Sequence, residues 1–144
     1  MPDLTLAAAR TIVATALETA RARGLKPLAV VVYDARGSLK CVQVEDGTSL
    51  RRPEVAAGKA NGALALGMGS RAITARSEAQ PQFVAAVSHL VGPAALVPVP
   101  GGVLIRSGGG VIGAVGISGD TSDNDEICAV AGIEAAGFSA ETGA

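Results

Sequence analysis

Three charged side chains lie within apolar stretches of the sequence, where a charge needs a partner or a ligand. Asp34 ends the run LAVVVYD, Lys59 lies within AAGKANGA, and Arg106 ends the run GGVLIR. Because an unpaired charge is costly to remove from water, we expect each to be paired or to line a site. In a site, a carboxylate, either Asp34 or one of the acidic residues in 120–126, would act as a general base, and Lys59 or Arg106 would hold an anionic substrate. We therefore name Lys59 and Asp34 as catalytic candidates and Arg106 as a ligand-binding candidate.

Four acidic residues lie close together in the segment GDTSDNDE, namely Asp120, Asp123, Asp125 and Glu126. At the start of a helix, acidic side chains accept hydrogen bonds from free N–H groups and interact favourably with the helix dipole. The alternative is a polar pocket, in which Glu126 would be catalytic while Asp120 and Asp125 would bind the ligand. The spacing of a calcium-binding loop is not completed, so we predict no metal site.

His89 is the only histidine in the chain, and it lies beside Leu90. It is either a structural histidine or a group for haem ligation or acid–base work, so we include it among the ligand-binding candidates. A single histidine excludes a multi-histidine zinc site, and the GxSxG motif of hydrolases is absent from the sequence. Cys41 and Cys128 lack CxxC spacing, which favours two reduced, buried thiols.

Two glycine clusters, Gly101-Gly102 and Gly108–Gly110, are the other conspicuous feature of the second half of the chain. Neither gives the GxGxxG or GxxxxGK[ST] pattern of a phosphate-binding loop that leads into a helix. Glycine adopts positive φ at no steric cost, so these clusters favour tight turns between strands.

The first half of the chain predicts a helix, a β-hairpin and a second helix. Apolar residues recur at helical spacing over Thr5–Arg23, and Gly24 follows as a stop signal. The runs Leu28–Asp34 and Leu39–Val44 predict an antiparallel hairpin. A helix over Arg51–Gly67 contains two glycines four residues apart, which predicts close packing of that helix face against another segment.

The second half predicts further helices and a second hairpin. We expect an irregular link with a brief helix over Met68–Ala79, and a short helix over Pro81–Leu90. The predicted strands are Leu96-Val97, Val103–Arg106 and Val111–Ser118, followed by a helix from Ser122 or Asp123 to Ala136. Strands that come in hairpins rather than alternating with helices favour an α+β fold with an antiparallel sheet of about five strands.

Composition excludes several classes of protein. The 144 residues fit a single domain over 1–144, and the 49% hydrophobic and 17% charged content excludes a disordered chain. The chain has no basic stripe for nucleic acid and no apolar run of roughly 18 residues for a membrane. Its N-terminus lacks a basic signal-peptide region, so we expect a cytoplasmic protein. A mean hydropathy of +0.40 favours a buried subunit interface.

Several motifs resemble the GlcG/HbpS-like family, also known as DUF336. The hairpin resembles the family's first hairpin at Val32-Tyr33-Asp34, Gly37 and Glu45–Thr48, and Ala57–Ala60 resembles its Lys-Ala helix segment. The most specific block runs from Pro100 through Gly119 to Asp123–Glu126. The resemblance covers nearly the whole chain.

The resemblance implies a profilin-like α+β fold, assembly into homo-oligomers from dimers to octamers, and a small-molecule ligand. Some members of this family bind haem, so the resemblance implies haem or another tetrapyrrole as the ligand. The helix Thr5–Arg23 contains no His or Met that could ligate iron. The alternatives are a cofactor-free isomerase, lyase or hydrolase acting at a subunit interface, and an accessory subunit of a larger enzyme. The sequence leaves open whether the protein is an enzyme.

Overall fold

Five helices and five strands make up the fold in a computed structural model that describes residues 3–144. In chain order they are α1 Leu6–Ala22, β1 Ala29–Asp34, β2 Leu39–Val44, α2 Arg52–Leu66, α3 Ser70–Ala79, α4 Pro81–Val87, β3 Gly102–Ser107, β4 Gly110–Ser118, α5 Ser122–Ala135 and β5 Ser139–Glu141.

The strands form one antiparallel sheet in the order β2-β1-β4-β3-β5. The two hairpins, β1–β2 and β3–β4, are joined side by side through β1 and β4, in a register that pairs Ala29 with Ser118. Strand β5 adds to the free side of β3, where Leu104 pairs with Glu141. The predicted α+β fold with a five-stranded antiparallel sheet is therefore confirmed.

Helices cover both faces of the sheet. Helices α1 and α5 pack together on one face, over a core of Leu28, Val30, Val32, Val103, Ile105, Val115 and Ile117. Helix α2 covers the other face, where its alanines meet Ala29, Val31, Leu104 and Ala114. Small residues dominate this second interface, so the backbone of α2 lies very close to the sheet. A side chain at Gly116 would collide with the carbonyl oxygen of Ala56.

Local hydrogen bonds define where α1 and α5, the two helices on the first face, begin. The Thr5 hydroxyl accepts from the Ala8 N–H at 3.1 Å and begins α1. The Thr121 hydroxyl accepts from the Asn124 N–H at 3.2 Å and begins α5. Both are the side-chain caps that threonine typically provides.

The close packing predicted for α2 is confirmed, and its partner is the segment at Leu96 and Val97. A Cβ at Gly58 would lie 2.6 Å from Cγ2 of Val97, and one at Gly62 would lie 2.9 Å from Cγ of Leu96. The Val97 N–H also donates to the Gly58 carbonyl at 3.2 Å. The prediction of a strand at Leu96-Val97 was therefore wrong, because this segment packs on a helix rather than on the sheet.

Two further elements differ from the sequence prediction. Residues 70–79 form a regular helix rather than an irregular link, because Ile73 is buried against Val84 and Leu96. The fifth strand is β5, which pairs with the edge strand β3.

Across residues 3–144, no helix combines the length and apolar character needed to cross a membrane.

Candidate functional site

A buried ion pair joins Lys59 of α2 to Asp125 of α5. The Lys59 Nζ lies 3.1 Å from Oδ2 of Asp125, and the two side chains are 2% and 1% exposed. The same ammonium group donates to the Ile117 carbonyl at 2.8 Å. The other carboxylate oxygen of Asp125 accepts from the Asp120 N–H at 3.1 Å. Each charge is therefore paired and hydrogen-bonded, as a buried charge requires.

Burial acts on both members of this pair in opposite directions. It lowers the pKa of Lys59, against the attraction of the Asp125 carboxylate. It raises the pKa of Asp125, against the attraction of the Lys59 ammonium group. Desolvation disfavours the charged form of each group, and the partner charge opposes that effect.

Glycines at the start of β3 cover the Lys59 side chain. A Cβ at Gly101 would lie 2.9 Å from the Lys59 Nζ, and one at Gly102 would collide with the Lys59 carbonyl. The Gly102 N–H donates to the buried Ser70 hydroxyl at 2.7 Å. The glycines of this cluster therefore provide close approach between β3 and α2, in addition to a turn.

The side chains of the other acidic residues in the GDTSDNDE segment have partners outside the Lys59–Asp125 pair. Asp120 accepts from the Asn124 side chain and from the N–H groups of Lys26 and Thr121, which together hold the pKa of Asp120 near 2. Arg71 of α3 bonds to both Asp123 and Glu126, and its Nε lies 3.1 Å from Oε2 of Glu126. Asp120, Asp125 and Glu126 thus lie near one another at the start of α5, each with its own contacts.

Asp34 and Arg106 lie at the other end of the sheet from Lys59. In the sheet register, Asp34 lies opposite Gly113 and Arg106 lies opposite Val111, both early in β4. Lys59, in contrast, contacts Ile117 late in β4. At about 3.3 Å per residue, that separation is roughly 13–20 Å. The structure therefore brings Lys59 and Asp125 together but places Asp34 and Arg106 elsewhere.

Each of these two residues has a local partner. Partial burial alone would raise the pKa of Asp34, but donation from the N–H groups of Ser38 and Arg36 outweighs it and lowers the pKa. The Nε of Arg106 lies 2.6 Å from Oε1 of Glu141 on the neighbouring strand β5. Catalytic roles for Lys59, Asp34 and Glu126, and a ligand-binding role for Arg106, stay predictions.

His89 lies in the turn after α4 and is exposed to solvent, beside Leu90, which is 82% exposed.

Cys128 is fully buried, and burial followed by the nearby Asp125 charge raises the pKa of its thiol to about 11. Its thiol therefore stays protonated at neutral pH. Among residues 3–144, no three His, Cys, Asp or Glu side chains are grouped so that they could hold a metal ion.

Two neighbouring cavities open beside the first hairpin. The larger, about 410 Å³, is lined by Leu17, Arg21, Pro27, Gln43, Val44, Glu45 and Asp46. The smaller, about 260 Å³, is lined by Lys26, Pro27, Gly47, Thr48, Ser49, Arg52 and Gly119. Lys59 lines neither of them, because Gly101 and Gly102 cover it.

None of the residues that line these two cavities was a site candidate in the sequence, and Arg52 is one of those that were missed. In the sequence it is the second of two arginines at the start of a helix, a position typical of solvated charges. A signal was nevertheless present in the helical spacing. Arg51 has Glu54 three residues later and pairs with it, whereas Arg52 has Val55 and Ala56 at the corresponding positions.

Known proteins resemble this chain over almost its full length. A family model described as "Haem degrading protein HbpS-like" matches residues 4–134. The structure titled "Crystal Structure of PduOC:Heme Complex" is similar at 25% identity and a TM-score of 0.84, covering 95% of this chain and 97% of that one.

Two further structures are similar at the same identity. Protein ORFY of Klebsiella pneumoniae, assigned to DUF336, has a TM-score of 0.83 and covers 95% of this chain and 93% of its own. HbpS has a TM-score of 0.81, with 93% of this chain and 90% of its own covered. No curated protein matches the chain.

Proposed function

Because the chain belongs to the HbpS-like family, we propose that this small-ligand-binding protein takes a tetrapyrrole, with haem as the representative ligand, and works as a homo-oligomer. The observation that supports the ligand is the likeness to a protein crystallised as a heme complex, which extends over 95% of this chain at 25% identity. The cytoplasmic location expected from the sequence stays a prediction.

The residues around the cavities do not fit an iron-ligated haem. Proteins hold haem iron through His, Cys, Met or Tyr. None of these residue types lines the two cavities beside the first hairpin, or the two other cavities that lie beside Asp34 and beside Val84. A cavity-bound haem would therefore lack an axial side chain from the same subunit.

The surface around His89 fits the group better. His89 is exposed, and so is the apolar side chain next to it in the turn, Leu90, at 82%. An imidazole beside apolar surface has the chemistry of a haem ligand, and bound haem would supply a redox-active iron. We therefore assign His89 as the axial ligand and the apolar surface beside it as the support for the ring.

A hemin titration of the purified protein tests this proposal. We expect a Soret band that saturates at a fixed stoichiometry, and we expect His89→Ala to shift or abolish it. Gln82→Ala is the matched control, since Gln82 is exposed on α4, the helix that precedes His89, and has no iron-ligating group. A wild-type protein without a saturable band would refute tetrapyrrole binding. A band that is the same in His89→Ala would refute ligation by His89.

An uncovered apolar surface on β2 supports self-association. Strand β2 is at the edge of the sheet, and on the face that α2 covers elsewhere it exposes Leu39, Val42 and Val44 by 60%, 40% and 47%. Nearby in sequence, Leu50 is 78% exposed. An edge strand with unpaired backbone groups and apolar side chains is suited to pairing with a second copy of the same strand.

A further inference from the structure

The smaller cavity combines positive charge with hydroxyl groups. Its wall contains the side chains of Lys26, Thr48, Ser49 and Arg52, together with Pro27 and two glycines. It has a volume of about 260 Å³ and lies between the end of the first hairpin and the start of α2. Ligand pockets for drug-sized molecules are typically larger than this, so the space suits a small molecule.

Arg52 is half-buried and has no acidic partner among residues 3–144. Its Nη1 donates to the Ser118 hydroxyl at 3.1 Å, and its Nε donates to the Ser49 hydroxyl at 3.4 Å. These two neutral acceptors leave Nη2 and one N–H of Nη1 for another group. By contrast, Arg51 beside it pairs with Glu54 at 2.6 Å.

Two acidic residues near the cavity, Asp120 and Glu45, already have partners, whereas Asp46 is exposed and makes no ion pair among residues 3–144. Asp120 accepts from the N–H of Lys26 through Oδ1 and from Asn124 through Oδ2. Glu45 accepts from the Leu28 N–H and pairs with Arg21 at 3.1 Å. The charge of Arg52 is also close enough to Lys59 to contribute to its lowered pKa. Asp120 therefore offsets part of the Lys26 charge, whereas the Arg52 guanidinium contacts only the two neutral hydroxyl acceptors.

We propose that this cavity binds a small oxyanion, a carboxylate or a phosphate, with Arg52 as the principal contact. A guanidinium group recognises such anions through two parallel N–H···O bonds, and Arg52 retains the donors to form them. Lys26 adds a second positive charge, and the Ser49 hydroxyl, which accepts from Arg52, keeps its proton for the anion. The Thr48 hydroxyl already donates to the Glu45 carbonyl at 2.7 Å and contributes only to the polarity of the wall. This site is separate from the His89 surface and does not depend on haem binding.

An NMR titration of the isotope-labelled protein tests the proposal. Three salts are compared at matched ionic strength: malonate, inorganic phosphate and sodium chloride. We expect malonate, phosphate or both to give saturable shifts of the Thr48, Ser49 and Arg52 amide resonances, and we expect chloride to give none. The anion that binds more tightly shows whether the natural ligand presents a carboxylate or a phosphate. Shifts that are equal for all three salts would refute a specific site.

Variants distinguish recognition by Arg52 from general charge attraction. We expect Arg52→Gln to weaken binding about tenfold or more and Arg52→Lys to restore only part of it, since lysine lacks the fork geometry. Arg51→Gln removes the same charge from the exposed neighbour and should bind like the wild type. Equal losses in Arg51→Gln and Arg52→Gln would refute the proposal.

A third variant keeps the proposal testable if Arg52→Gln fails to fold. Ser49→Glu places a carboxylate beside Arg52 and should abolish anion binding by competition while the fold is retained. Undiminished binding in Ser49→Glu would also refute the site. His89→Ala should leave anion binding unchanged, so failure of the haem proposal and failure of this one give different results.

Discussion

The Lys59 ammonium group and the Asp125 carboxylate meet at 3.1 Å beside the last residues of strand β4, and they connect helices on opposite faces of the sheet. Lys59 belongs to α2, which packs on one face, and Asp125 belongs to α5, which packs on the other. The pair is therefore a buried polar link between two largely apolar interfaces. Since both groups are almost fully buried, each depends on the other for compensation of its charge.

Replacement of Lys59 by methionine should lower the free energy of unfolding by about 3–5 kcal/mol, because it leaves the Asp125 charge buried without its partner. Urea denaturation followed by circular dichroism measures this change. Lys40→Met is the control, because Lys40 makes no ion pair within residues 3–144 and should change stability little.

The double variant Lys59→Met/Asp125→Leu separates the cost of an orphaned charge from the value of the pair. We expect it to be more stable than Lys59→Met, since replacing both buried charges by apolar groups removes the uncompensated carboxylate. A double variant that is no more stable than Lys59→Met would show that the stability lies elsewhere, for example in the bond from Asp125 to the Asp120 N–H.

Asp120 should contribute to unfolding at acid pH. Its pKa in the folded protein is about 2, below the ordinary value of 3.8, because Asn124 and the N–H groups of Lys26 and Thr121 donate to the carboxylate. The stabilisation is therefore fully present above the ordinary pKa and is lost as the pH falls from about 4 to 2. We expect Asp120→Asn to flatten the dependence of the free energy of unfolding on pH across this interval.

The control for this measurement is Asp46→Asn, since Asp46 is exposed and makes no ion pair in the described part of the chain. It should retain the acid dependence of the wild type. If Asp120→Asn and the wild type lose stability in parallel between pH 4 and 2, the hydrogen bonds to Asp120 do not stabilise the fold.

Two glycines of the α2 interface should differ sharply when replaced by alanine. Gly116→Ala places a Cβ against the backbone carbonyl of Ala56, which cannot move without displacing α2 from the sheet. Gly58→Ala places a Cβ 2.6 Å from Cγ2 of Val97, at the end of a side chain that can rotate, and alanine adds about 1 kcal/mol of helix propensity.

Thermal denaturation should therefore show a much lower melting temperature for Gly116→Ala than for Gly58→Ala. Both variants add one methyl group at a buried site, so each controls for the size of the change. Equal decreases in melting temperature for the two variants would mean that the Val97 segment is as rigid as the sheet backbone.

A charge on the exposed face of β2 should disrupt self-association. We expect Val42→Lys to shift the protein toward monomers in size-exclusion chromatography with light scattering, because a lysine opposes burial of that face. Gln43→Lys introduces the same charge one residue along, on the opposite face of the strand, and should keep the wild-type assembly. A wild-type monomer, or an unaltered assembly in Val42→Lys, would exclude this face as the interface.

The regular patterns of the sequence identified most of the fold, because they report local structure directly. The helical spacing before Gly24 corresponds to α1, and the continuous apolar run before Gly37 and the alternating run after it correspond to the first hairpin. Strand β5 has only three residues, and it exists because β3 offers it an open edge. Leu96 and Val97 resemble a strand in composition, but contact with the two helix glycines decides their conformation.

For the site, residue types indicated which charges need partners but not which partners they have. Lys59 and Asp125 were both candidates, and their pairing depends on how α2 and α5 pass the end of the sheet. The contacts of Arg106 with Glu141 and of Arg71 with Glu126 depend on the placement of β5 and α3, the two elements that the sequence predicted poorly. Arg52 became visible as a ligand candidate only when the hairpin and the end of β4 were placed beside it.

The central pairing of β1 with β4 also has a consequence for the rate of folding. Each hairpin forms between neighbours in the sequence, but the strand pair that joins them places residue 29 opposite residue 118. Closing so long a loop carries an entropic cost that is recovered only when the two hairpins meet, and folds rich in distant contacts are slow to form. The hairpins can thus form early, and their joining through β1 and β4 is the step that should limit folding.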